Sequence, residues 1–166
     1  MQSNVPTDRN YKLWVLLYQA TYAMTRAREN ELRQYGITPI QAAVLFIVKS
    51  APVPVTPAKL SRWLFREPHS MSGLLDRMEK GGLIRKVRDL ERKNLIRVIL
   101  TEKGEEALQR SREIKVVRDI LSCLSPEERD KLEAFLGRLR SKALERIGAK
   151  EEPPFPEVLE KIGAKD

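Results

Sequence analysis

Cysteine and histidine are nearly absent: Cys123 and His69 are the only ones among 166 residues. One thiol cannot build a disulfide framework and fits a reducing cytosol, so a cytoplasmic location is expected. One thiol and one imidazole leave no His/Cys zinc site within a single chain and no ground for a Ser-His-Asp hydrolase. No metal and no cofactor are expected, and nothing supports an enzyme. The eight glycines never gather into a loop that would cradle a phosphate. Long apolar runs are missing as well. The longest uncharged stretch, Gln34 to Val48, has 15 residues and contains a proline, too short to cross a bilayer. The first ten residues, MQSNVPTDRN, have neither a basic start nor an apolar core, so neither a secretory leader nor membrane attachment is expected.

What is plentiful is positive charge. The net formal charge is +8, over a composition 42% hydrophobic and 33% charged that suits one ordinary domain or two very small ones. Its distribution matters more than its sum. Between Lys59 and Arg97 stand eleven Lys/Arg and five Asp/Glu, a surplus of six in under a quarter of the chain. From Gly148 onward three lysines face five acids. A concentrated central positive charge is the footprint of polyanion binding, although a merely solvated face has the same composition.

The periodicity predicts a mainly α protein with a small β-hairpin. A first helix runs from Asp8 to Tyr35, capped by Thr7 or Asp8, and from Leu13 to Met24 it is apolar almost all round. Such a helix is expected to be buried on every side, against its own core and something else. Thr38-Pro39-Ile40-Gln41 is a capping box opening a second helix to Ser50. The proline-rich run from Ala51 to Val55 reads as an extended linker and short edge strand. Thr56-Pro57 starts a short third helix, and Pro68 opens a fourth whose Met71, Leu74, Leu75 and Met78 form one stripe, stopped by Gly81-Gly82. Strands at 83–88 and 95–100 with a charged tip between them read as a hairpin. Thr101 caps a fifth helix to Leu124, with Ala107, Leu108, Ile114, Val117 and Leu121 inward. Ser125-Pro126-Glu127-Glu128 opens a sixth, striped by Leu132, Phe135, Leu136, Leu139, Ala143 and Ile147.

Three helices, a short turn around Phe65-Arg66-Glu67 and a hairpin make a winged helix-turn-helix. Its reading helix enters the major groove of duplex DNA with its N-terminal half, where small polar side chains permit close approach. His69, Ser70, Ser72 and Gly73 fit that need, and Arg77 and Lys80 are spaced for phosphates. Glycine within a helix costs about 1 kcal/mol relative to alanine, so Gly73 is expected to serve proximity or packing. Arg92 and Lys93 at the wing tip are placed for the flanking minor groove.

These residues resemble the MarR (multiple antibiotic resistance regulator) family of prokaryotic transcription regulators. The resemblance runs from Gly36 to Leu108, through Ile37-Thr38-Pro39-Ile40-Gln41, the run from Leu74 to Ile84, the acidic-basic wing after Asp89, and Leu100-Thr101-Glu102-Lys103-Gly104. It implies a homodimeric repressor or activator on a pseudo-palindromic operator, often released by a small apolar or aromatic molecule. Residues 1–35 and 101–147 would then form the dimerisation region (the first, fifth and sixth helices), 36–100 the DNA-binding domain and 148–166 a tail. The resemblance assigns base reading to Pro68, His69, Ser70, Ser72 and Gly73, a recognition-helix contact to Arg77, and the wing to Arg88, Asp89, Arg92 and Lys93. The wing departs from the family pattern, with Arg92 where a second acid is expected and Asn94 in place of a second arginine. The family's peroxide-sensing branch uses a cysteine in the first helix; none stands before residue 123.

Two readings stay open beside these. Trp14, Tyr18, Tyr22 and Phe46 read either as plain core or as the lining of an effector pocket, and Cys123 as a small buried hydrophobe. The basic face also fits a winged-helix interaction module that meets an acidic partner protein.

Overall fold

The computed structural model describes residues 8–88 and 95–149. Among these residues the chain forms α1 (Arg9–Arg33), α2 (Pro39–Ser50), α3 (Pro57–Trp63), α4 (Pro68–Lys80), β1 (Ile84–Arg88), β2 (Ile96–Leu100), α5 (Glu102–Ser111), α6 (Lys115–Leu121) and α7 (Pro126–Arg146). Local chemistry sets the boundaries. The Asp8 carboxylate caps α1 by accepting the Asn10 amide at 2.9 Å. Thr38 and Gln41 complete the expected capping box on α2, as Ser125 and Glu128 do on α7. The chain leaves α1 at Arg33, two residues before the expected Tyr35, and turns through Gly36 at φ 68°.

Leu45 of α2, Leu60 of α3, Leu75 and Met78 of α4, Ile84 of β1 and Leu108 of α5 meet in one buried core. The hairpin is antiparallel, with Ile84 opposite Leu100 and Arg88 opposite Ile96. Val55 lies extended beside it and accepts the Val98 amide at 2.9 Å, consistent with the edge position that the prolines impose. This is the winged helix-turn-helix arrangement, mainly α with one small hairpin.

Three expectations are corrected. The fifth helix is two helices: α5 stops at Ser111, and α6 begins after Ile114, which sits at φ 38°. Ile114 is consequently exposed, while Val117 and Leu121 are half-buried rather than inward. Contacts from α1 impose the break. Arg28 donates to the Ser111 carbonyl at the end of α5 and pairs with Glu31, whose carboxylate accepts the Val116 amide at 3.1 Å at the start of α6. Cys123 is exposed, because it falls in the short turn between α6 and α7 rather than on a packed stripe. The N-terminal half of α1 is open within the protomer instead of buried on every side, with Leu13, Leu16 and Leu17 all exposed.

Candidate nucleic-acid interface

The α4 helix is anchored by its apolar stripe and presents everything else. Met71, Leu74, Leu75 and Met78 are buried, each contributing roughly 1.5–3 kcal/mol by the area it removes from water. Pro68, His69, Ser70, Ser72, Asp76, Arg77 and Lys80 are exposed, and Gly73 is half-buried between them. One helix face thus carries the whole predicted base-reading set. A cavity of about 360 Å³ runs along it, lined by Ile40, Arg66, His69, Ser70, Gly73, Leu74 and Arg77. The Arg77 guanidinium folds back toward the glycine, so a methyl group at position 73 would lie 3.6 Å from its Nη1.

The hairpin is fixed to α4 by charge. Lys86 of β1 donates from its ammonium to Asp76 and lies 3.5 Å from Glu79, while its backbone amide donates to Glu79 at 2.7 Å. The hydrogen bond from Lys86 holds the Asp76 carboxyl below the usual carboxylate range; in return Asp76 raises the Lys86 ammonium. Lys86 is therefore spent on holding the wing in place. Arg85 and Arg88 stay exposed on β1. Asp89, Arg92 and Lys93 lie outside the described residues.

Three of the four candidate effector residues follow one another at four-residue spacing on α1, and the fourth lies on α2. Trp14, Tyr18 and Tyr22 stand 64%, 64% and 63% exposed along α1, whereas Phe46 is partly buried against the core. None of the four lines the cavity of about 520 Å³ that opens between α1, α2 and α4, whose walls include Thr25, Glu29, Thr38, Gln41, Arg66 and Arg77. Arg66 lines both cavities, whereas in the sequence it reads only as charge in a turn. Its one signal is its place two residues before α4. Among the described residues, no group of three or more His, Cys, Asp or Glu side chains could hold a metal ion, and no helix is long and apolar enough to cross a membrane.

A profile of the MarR family matches residues 35–93. The transcriptional regulator PecS of Dickeya dadantii (strain 3937) is 26% identical over 127 residues, covering 74% of this chain and 76% of PecS. The organohalide-sensing transcriptional regulator RdhR, solved with 2,4-dichlorophenol bound, superposes with a TM-score of 0.79 at 29% identity, over 94% of this chain and 98% of its own. A mutant of MarR from E. coli, solved with operator DNA, shares the fold with a TM-score of 0.74 at 20% identity, over 82% of this chain and 99% of its own.

Proposed function

We propose that this chain is a DNA-binding transcriptional regulator of the MarR family, acting in the cytoplasm as a homodimer on a pseudo-palindromic duplex under control of a small molecule. The observation that carries the reading is the exposed polar face of α4, with His69, Ser70, Ser72 and Arg77 set on a rigid apolar anchor. Two-fold symmetry then asks for two half-sites about one helical turn apart. The exposed Arg88 leads into the wing, whose Asp89, Arg92 and Lys93 would follow the flanking minor groove.

A small apolar or aromatic effector is supported by RdhR, which is 29% identical and was solved with 2,4-dichlorophenol. The cavity of about 520 Å³ suits such a molecule better than the exposed Trp14, Tyr18 and Tyr22 or the partly buried Phe46, none of which lines it. It touches α4 through Leu74 and Arg77, so an occupant would bear directly on the reading helix.

Selection of duplexes from a random pool, followed by affinity measurements over a salt series, tests the reading. Arg77→Ala is expected to weaken binding to selected and scrambled duplexes alike, and Ser72→Ala to reduce mainly the discrimination between them. Equal effects of both variants on all sequences would show that α4 is not the reader. Failure of unlabelled duplex to compete would favour an acidic protein partner instead.

A further inference from the structure

Arg66 is held more firmly than a surface arginine in a turn has reason to be. The turn from α3 to α4 is made by Phe65 in the left-handed region at φ 50°, a conformation that L side chains avoid. Ser61, buried in α3, secures the next residue at both ends of its peptide. The Arg66 amide donates to the Ser61 carbonyl at 2.9 Å, and the Ser61 hydroxyl donates to the Arg66 carbonyl at 2.6 Å. Backbone strain and a buried hydroxyl are thus used to fix the origin of one exposed, cationic side chain.

That side chain shares a cavity with Arg77. Both line the cavity that runs along the exposed face of α4, with His69 and Ser70 on the same wall. Neither guanidinium is paired with a carboxylate among the described residues. Of the neighbouring acids, Asp76 is engaged by Lys86, and Glu67 makes no hydrogen bond to cap α4. Two arginines lining one depression, with a hydroxyl and an imidazole on its wall, match a phosphate diester, whose oxygens accept from several donors at once.

We propose that Arg66 is a phosphate-binding residue of the duplex interface, gripping together with Arg77 one phosphate at the edge of the major groove. The inference rests on the DNA-binding reading and adds a contact outside α4. It places the turn itself on the DNA backbone and makes the contact a matter of register rather than of sequence.

The test uses the full chain and the duplex it selects, with the same duplex scrambled as the second probe. Arg66→Gln is expected to weaken both duplexes and to lower the salt slope by about 0.9 per protomer, with unchanged helix content and melting temperature. Arg66→Lys should recover most of the slope, because phosphate recognition needs the charge first. Combined with Arg77→Gln, the loss should be smaller than the sum of the two single losses, since both act on one phosphate. A wild-type slope in Arg66→Gln, or additive losses in the double variant, overturns the shared grip. Wild-type protein that binds no duplex at all overturns the DNA reading itself, an outcome visible before any variant is made.

Discussion

Two glycines inside helices look alike in the sequence and do opposite things. Gly104 belongs to the run Leu100-Thr101-Glu102-Lys103-Gly104, which was readable as a signpost without a reason. The reason is backbone proximity. A Cβ at position 104 would stand 2.0 Å from the Leu83 carbonyl oxygen, so α5 crosses the start of the hairpin with no room for a methyl group. Gly104→Ala should cost about 1–3 kcal/mol or more. At roughly 2–4 °C per kcal/mol for a chain of this size, thermal denaturation followed by circular dichroism will detect that loss. At Gly73 the same methyl would meet only the Arg77 guanidinium, at 3.6 Å, an ordinary contact. Packing therefore does not require that glycine, and close approach of a ligand remains as its use. Gly73→Ala should raise stability by about 0.5–1 kcal/mol, from helix propensity, while weakening binding to the selected duplex. A variant both more stable and equally tight on DNA would remove Gly73 from the reading face. Phe65 escaped the sequence reading for a related reason: a left-handed residue is legible when it is glycine and silent when it is not.

At the scale of the element, caps and stripes were legible and the helix break was not. Pro39, Pro57, Pro68 and Pro126 each begin a helix, and the α4 stripe falls where its spacing places it. Nothing between Arg112 and Ile114 announces an end, since the stretch has neither glycine nor proline. The break is imposed from α1, more than eighty residues away in sequence, by Arg28 on the last turn of α5 and Glu31 on the first amides of α6. Burial, the largest single influence on Glu31, pushes its carboxyl up. The hydrogen bonds from Arg28 and the Val116 and Lys115 amides, with the Arg28 charge, outweigh it, and the net value falls below the ordinary glutamate range. A carboxyl lowered by folding stabilises the native state above its unfolded pKa, about 4.3, and loses that contribution as pH falls through the folded value. Glu31→Gln should therefore lower stability near neutrality by roughly 1.5–3 kcal/mol, the worth of hydrogen bonds to a charged group. In acid the two proteins should converge. A difference that persists below the folded pKa would assign the effect to shape rather than to charge.

At the scale of the whole molecule, α1 and α7 carry apolar surface that has no partner inside one protomer. Leu144 is the only buried residue in the 21 of α7, and Leu32 the only one in the 25 of α1. Yet Phe135, Leu136 and Leu139 are exposed at helical spacing on α7, as are Leu13, Trp14, Leu17 and Tyr18 on α1. The all-round apolar character of α1 was legible, and the dimer reading takes its openness in the protomer as the surface that a second copy would cover. Exposed apolar stripes of this extent mark an association surface. The dimer reading predicts light scattering at about twice the 19.1 kDa chain mass. Leu139→Glu places a charge in the middle of the α7 stripe, 53% exposed and outside the winged core. The substitution should leave the core's thermal transition in place while shifting the mass toward a single chain. Two linked reading heads gain from effective concentration, so separating them should weaken binding to a duplex with two half-sites by roughly 10²–10⁴-fold. Binding to a duplex with one half-site should change little. A wild-type protein of single-chain mass, or a Leu139→Glu protein that stays dimeric and tight, would move the association surface away from these helices.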